Sequence, residues 1–196
     1  MADLYAESCA TAPGWEHRGR KDFLRRPTRD TWRPGFAMLA AEAPDLVGCA
    51  FGFPVPRDSS WWSGLRGTLP QDVEQLTTSG QVFAISGIVV RPSERYHGLA
   101  DRLQERLLAD HRALLGATLV DRTHRAACAG FRSGGWRDIG LVYRPPGPAV
   151  LRALVLIDME QAFSALRAYA RAHNRRLTDL ARTFTDGTEP LNGLIV

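Results

Sequence analysis

The stretch VFAISGIVVRPSERYHGLADRLQERLLA, from Val82 to Ala109, predicts a strand, a turn and a helix in direct succession. The strand is indicated by the β-branched run from Ile85 to Val90, which Pro92 ends. The helix is indicated by leucines that recur on one helical face, namely Leu99, Leu103, Leu107 and Leu108. Gly98 stands immediately before this helix, and because it has no Cβ it allows the backbone to approach a ligand closely.

A helix that begins directly after such a turn can bind phosphate. Its first backbone N–H groups have no partner within the helix, and the positive end of the helix dipole lies at the same place. The string Arg95-x-x-Gly98-x-Ala100 has neither the GK[ST] ending of a P-loop nor the G-x-G-x-x-G of a dinucleotide fold. The predicted contacts are six consecutive residues: Arg95, Tyr96, His97, Gly98, Leu99 and Ala100.

At these residues the chain resembles the GNAT superfamily of N-acetyltransferases, whose Q/R-x-x-G-x-G/A loop holds the pyrophosphate of coenzyme A. Further stretches resemble elements of that family in the same order: a hairpin over 36–56 with its turn at 43–45, a strand over 117–122, a helix over 126–136 and a closing strand over 150–158. Segment 51–70 is also similar to acetyltransferases of high-GC bacteria. The Pro- and Gly-rich segments 54–80 and 144–149 are expected to be loops.

The resemblance covers residues 1–157 and implies an α/β (α+β) domain with a mixed, mostly antiparallel sheet flanked by helices. It implies acetyl transfer from acetyl-CoA, as cosubstrate, to a small-molecule or peptide amine. In the family the acetyl carbonyl is held by the backbone of the central strand, which here gives Ile88 and Val90 as further cofactor contacts.

The resemblance leaves the catalytic residues unknown. The resemblance aligns the family's Glu base with Gly87 and its Tyr acid with Phe131. Gly87 has no side chain and Phe131 has no hydroxyl, so neither residue exchanges protons. His124 takes the place of a frequent Asn and is a candidate base or cofactor contact, or a plain surface residue. The alternative function is therefore a catalytically weak CoA-binding sensor. Trp61 and Trp62 either line the acceptor site or cap the core.

Residues 158–196 predict a helical tail, with one helix over 158–173 and a second over 177–184. The tail resembles the last two helices of ANTAR domains, which implies a regulator that binds RNA. Four of its five arginines form either a solvated face or an RNA contact: Arg167, Arg171, Arg175 and Arg176. Its apolar stripe must pack on the body or on another chain, which leaves a homodimer open.

Composition fits one domain with a small appendage, since the chain has 196 residues of which 44% are hydrophobic. The net charge of +4 suits an anionic cofactor without requiring nucleic acid. The three cysteines form no C-x-x-C pair and are expected to be reduced, with Cys49 and Cys128 in the core. The five scattered histidines predict no metal site. No signal peptide or membrane span is recognisable, which favours the cytoplasm.

Overall fold

The computed structural model describes Leu4 and residues 30–93, 98–144, 150–157, 159–176 and 178–179, with part of the side chains in 159–172. These residues contain six strands and four α-helices. In chain order they are β1 (Ala37–Glu42), β2 (Leu46–Pro54), α1 (Gln71–Thr78), β3 (Val82–Val90), α2 (Leu99–Asp110), β4 (Leu115–Asp121), α3 (Arg125–Ser133), β5 (Arg137–Tyr143), β6 (Val150–Ile157) and α4 (Met159–Ala172). The chain divides into two compact units, Met1–Pro54 with Phe83–His111 and Val55–Val82 with Arg112–Val196.

The first unit contains β1, β2, β3 and α2. Strand β2 lies between β1 and β3 and is antiparallel to both. Helix α2 packs closely on β2 because Gly48 has no side chain: a Cβ there would lie 3.1 Å from Leu99 Cδ2 and 3.2 Å from Leu103 Cδ1. The predicted hairpin, the central strand and the helix with its buried leucines are confirmed, and β3 begins three residues earlier than the β-branched run.

The second unit contains β4, β5 and β6 with α1, α3 and α4. Strand β6 lies between β4 and β5 and is antiparallel to both, with register pairs that run from Leu115↔Ile157 to Asp121↔Leu151 along β4. The predicted strands at 117–122 and 150–158 are confirmed, with small shifts of their ends. Because every strand pair within the two units is antiparallel, the predicted mostly antiparallel sheet is confirmed.

Strand β5 is an element that the sequence did not predict. The helix predicted over 126–136 ends at Ser133, and Gly135 follows with a φ of +83°. Glycine adopts this left-handed conformation without steric cost, so the chain turns there and enters β5. The sequence RDIGLVY has two charges and a glycine, so its local pattern does not indicate a strand. It becomes one through its pairing with β6.

The prediction that segment 54–80 is a loop throughout is wrong. The segment contains a short 3-10 turn, Ser60–Trp62, and helix α1. The helix buries Val73, Leu76 and Thr77. The Thr77 hydroxyl accepts a hydrogen bond from Trp62 Nε1 at 3.0 Å and donates one to the Val73 carbonyl at 2.7 Å. Both Trp61 and Trp62 are buried, which places the pair in the core of this unit. Of their two predicted roles, this agrees with capping the core.

Residues 64–66 of the same segment pair with β5. The Arg66 N–H donates to the Leu141 carbonyl at 2.8 Å, and the Tyr143 N–H donates to the Gly64 carbonyl at 2.9 Å. The Arg66 guanidinium also lies 4.3 Å from the centre of the Tyr143 ring. These contacts satisfy backbone groups of β5 that an open strand edge would expose.

The first tail helix is confirmed as α4, with Ala170 buried and Phe163 exposed. Its predicted N-cap, Asp158, and most of the second tail helix lie outside the described residues. None of the described helices is long and apolar enough to cross a membrane.

Candidate cofactor site

Gly98 is the N-cap residue immediately before α2 and has the left-handed conformation, with φ 64° and ψ 22°. Its carbonyl accepts the hydrogen bond from the Arg102 N–H at 3.1 Å that starts the helix. Among the described residues, a Cβ placed at Gly98 would meet no atom within 4 Å, so these residues leave the space beside this turn open. The first-turn N–H groups of Leu99, Ala100 and Asp101 have no partner within the helix and carry its positive dipole end. This geometry suits a phosphate group.

The predicted contact residues divide into three groups. Arg95, Tyr96 and His97 lie outside the described residues. The Leu99 side chain is buried against β2, so only its backbone remains for a ligand. Ala100 and Gly98 are half-buried at the start of the helix. The described part of the proposed contact is therefore made of main-chain groups.

The backbone N–H and C=O groups of Ile88 and Val90, in β3, point away from β2. The Arg91 N–H donates to the Val47 carbonyl at 2.7 Å, and Val89 stands opposite Cys49 two residues earlier. In an antiparallel ladder alternate residues bond to the same neighbour. The N–H and C=O groups of Ile88 and Val90 therefore point to the other edge of β3.

A β-bulge interrupts β3 at Ser86, which sequence reasoning missed. Gly87 stands opposite Phe51 and Ile85 opposite Gly52, so Ser86 is an extra residue on β3. Bulges occur often next to active sites, where they redirect the strand. The only sequence signal for it is the Ser-Gly pair that breaks the β-branched run.

The positions predicted for the family's base and acid, Gly87 and Phe131, have no proton-transfer group. Gly87 is buried in β3. Phe131, on α3, is half-buried, and its ring meets Trp136 edge to face with centroids 5.1 Å apart. His124 precedes α3, where its N–H donates to the Asp121 carbonyl at 3.0 Å and its carbonyl accepts from the Cys128 N–H at 3.1 Å.

The two described cysteines are core residues, as predicted. Burial raises the pKa of the Cys49 thiol, which therefore stays protonated at neutral pH. Cys128 is buried, with its Sγ 3.7 Å from the Asp121 carbonyl oxygen. The raised pKa of Cys49 argues against a nucleophilic thiolate at that residue. Within the described ranges, no group of three or more His, Cys, Asp or Glu side chains is arranged to hold a metal ion.

No protein-family profile and no curated protein matches the sequence. Solved structures do match in three dimensions. A GNAT-family protein from Desulfovibrio desulfuricans superposes with a TM-score of 0.51 at 15% identity, over 80% of this chain and 88% of that chain. An acetyltransferase from Thermus thermophilus gives 0.48 at 18% identity, over 80% and 90% of the two chains. Nourseothricin acetyltransferase gives 0.44 at 16% identity, over 63% of this chain and 66% of that chain.

These identities are low, so the likeness concerns the fold alone. The first of the three superpositions confirms the predicted GNAT-like fold over four fifths of the chain. The predicted ANTAR likeness of the tail gains no support from the comparisons.

Proposed function

We propose that this chain binds acetyl-CoA and transfers its acetyl group to an amine. The observation that carries the proposal is the open, left-handed Gly98 at the start of α2 in a GNAT-like fold. That position combines N–H groups that have no partner within the helix with space that the described residues leave open for the pyrophosphate of the cofactor.

The residues present fit this group through their backbone. The first-turn N–H groups of Leu99 and Ala100 would bind the pyrophosphate. The backbone groups of Ile88 that face away from β2 would pair with the pantetheine arm. The negative charge of Asp101, in the first turn of α2, would repel the pyrophosphate. Its carboxylate accepts a hydrogen bond from Gln104 Nε2 at 3.3 Å. When bound, the cofactor supplies an acetyl group activated as a thioester.

Catalysis by this chain is proposed to be slow. A positioned acid or base contributes about 10²–10⁴-fold in rate. With Gly87 and Phe131 at the predicted positions, both the acid and the base contribution are missing. Another group, such as His124, would have to supply one of these contributions. The same two residues favour a second candidate, a CoA-binding sensor without significant turnover. The RNA-binding regulator stays a prediction, because most of the second tail helix lies outside the described residues.

The test is a titration of the purified chain with acetyl-CoA, followed by calorimetry and by thermal unfolding. A ligand at 100 times its Kd stabilises the folded state by about 2.7 kcal/mol, which raises the melting temperature measurably. Absence of both heat and a thermal shift would overturn the proposal. Release of free CoA thiol in the presence of a panel of amines then separates the enzyme from the sensor.

A further inference from the structure

Strand β1 is an outer strand of the sheet, and the described residues leave its outer side unpaired. Its inner side pairs with β2, from Ala37↔Gly52 to Glu42↔Leu46. No backbone hydrogen bond joins β1 to another described part of the chain. Leu4 packs with Cys49, Phe51 and Val89, which places it on a face of the sheet and not at this edge. Among the described residues, the outer N–H and C=O groups of β1 therefore lack a partner.

The sequence of β1 has few of the features that keep sheet edges from pairing. Natural edge strands are protected by charges, by proline, by bulges or by an element that covers them. The strand, AMLAAE, contains no proline, and its one charge is on the last residue, Glu42. Its register is regular up to Ala41, after which a shift follows. Five consecutive uncharged residues in regular pairing form an edge to which another strand can add.

Two large apolar side chains are exposed beside this edge. Trp32, in the turn before β1, is 88% exposed, and Met38, in the strand, is 38% exposed. Ala40 shares the exposed side of the strand with Met38. Tryptophan and methionine are enriched in protein interfaces, and tryptophan often contributes much of the binding energy. The edge therefore combines unpaired backbone groups with apolar side chains.

The partner that fits this edge best is the same edge of a second copy. The outer strand of the second unit, β5, is already covered over residues 141–143 by residues 64–66 of its own chain. There β1 of another copy finds no unpaired edge, so an open head-to-tail chain of copies is not favoured. Pairing of β1 with β1 is isologous and closes after two copies.

The charges at the two ends of β1 favour an antiparallel pair. Glu42 lies at the end of the strand, and Arg33 precedes its start. Asp30, the ion-pair partner of Arg33 at 3.4 Å, is buried, so Arg33 is the more exposed charge at the start. An antiparallel pair brings Glu42 of each copy towards Arg33 of the other. A parallel pair would instead place the two Glu42 side chains together, and like charges directly opposite each other are destabilising.

We propose that two copies of this chain associate through antiparallel pairing of their β1 strands. The pairing would make the three strands of each first unit continuous across the two copies. The start of each β1 then meets the end of the other, which brings Trp32 to the hairpin turn 43–45 of the second copy and removes its ring from water. This inference is independent of the proposed function.

The experiment is sedimentation velocity of the full chain from about 1 to 100 μM, where a dimer that grows with concentration is expected. Met38→Lys combined with Ala40→Lys places lysines of the two copies close to one another at the seam. This double variant should raise the Kd of the dimer by at least about tenfold. Glu105→Lys, at an exposed residue of α2, changes the net charge by the same amount and is the matched control, with an unchanged Kd.

Trp32→Ala tests the seam without a change of charge, and it carries the test if the double variant does not fold. It should also raise the Kd of the dimer by about tenfold. The melting temperature of the monomeric variant should equal that of the monomeric wild type, because the ring is exposed in the single chain. Hydrogen exchange adds a direct readout: amides of residues 37–42 should exchange more slowly at dimer-forming concentrations than after dilution to the monomer.

Four results would overturn the inference. The first is a wild-type chain that stays monomeric over the whole range. The second is a dimer that every folded variant of Trp32, Met38 and Ala40 leaves unaffected. The third is a dimer that disappears when the chain ends at Asp158, which would place the contact in the tail. The fourth is slow exchange of all amides of β1 in the monomer, which would show that the same chain covers this edge.

Discussion

Gly98 is the residue on which the proposed cofactor site depends most. Its φ of 64° is a conformation that β-branched and bulky residues avoid, but Asn and Asp adopt it more readily than other residues do. Since a Cβ there would meet no atom of the described residues within 4 Å, substitution by either residue should leave the fold intact. Charge can therefore be tested separately from shape at this position.

Gly98→Asp should weaken acetyl-CoA binding by at least about tenfold more than Gly98→Asn does. The two side chains have the same shape, but only the aspartate places a negative charge beside the phosphates. Calorimetric Kd values for the two variants measure the difference, and their melting temperatures verify folding. Equal affinities would place the pyrophosphate away from the start of α2.

Phe131 offers a second test at the scale of one residue. Phe131→Tyr retains the ring that packs edge to face on Trp136 and adds a hydroxyl at the position predicted for the family's acid. If the chain is an enzyme that lacks this acid, the rate of CoA release should rise by up to about 10²–10⁴-fold, with unchanged Kd for acetyl-CoA. Phe131→Leu, which adds no hydroxyl, should give no increase. An unchanged rate in the tyrosine variant would show that another group donates the proton or that the domain is a sensor.

At the scale of elements, Asp138 joins β5 to its neighbours in the second unit. Its Oδ2 is 3.1 Å from Arg132 Nη2 on α3 and forms a close ion pair with Arg152 on β6. Its Oδ1 accepts a hydrogen bond from the Gly140 N–H at 3.1 Å. Burial disfavours the charged carboxylate, but the hydrogen bonds from the two arginines outweigh it and hold the pKa of Asp138 below its ordinary 3.8.

Asp138→Asn should lower the free energy of unfolding at neutral pH. A carboxyl group with a depressed folded-state pKa stabilises the fold above its unfolded-state pKa, and this contribution disappears as the pH falls through the folded-state pKa. The difference between wild type and variant should therefore shrink as the pH is lowered from about 5 to below the ordinary pKa, as followed by urea unfolding. A difference independent of pH would argue against an ionised Asp138.

Asp72→Asn is the control for that series. It removes the ion pair between Asp72 and Arg137, whose atoms are 2.8 Å apart but whose side chains are more exposed. Exposed ion pairs contribute at most about 1 kcal/mol, so this variant should lose less stability than Asp138→Asn.

At the scale of the whole molecule, the tail should be separable from cofactor binding. The described residues proposed to bind the pyrophosphate and the pantetheine arm lie between Ile88 and Ala100, far from α4 in the chain. A chain that ends at Asp158 should unfold cooperatively and show the same Kd for acetyl-CoA. Its melting temperature should fall modestly, because Ala170 is buried while Phe163 is 49% exposed. Loss of cooperative unfolding would show that α4 belongs to the core.

The sequence by itself determined the elements whose patterns are local. The β-branched run of β3 and the leucine period of α2 predict them directly, and so does the hairpin with its turn after Glu42. The resemblance of the Arg95–Ala100 loop to one family then led to the GNAT-like fold. These signals suffice because neighbouring residues set both the periodicity and the turn.

Only the tertiary structure decided the features that depend on partners distant in sequence. Strand β5 forms through pairing with β6, and α1 is held by a hydrogen bond between Trp62 and Thr77 across 15 positions. The bulge at Ser86 is defined by the register against β2, which no local pattern contains. The burial of the polar Gln104 likewise becomes visible only when its surroundings are known, because burial belongs to the folded chain and not to the residue.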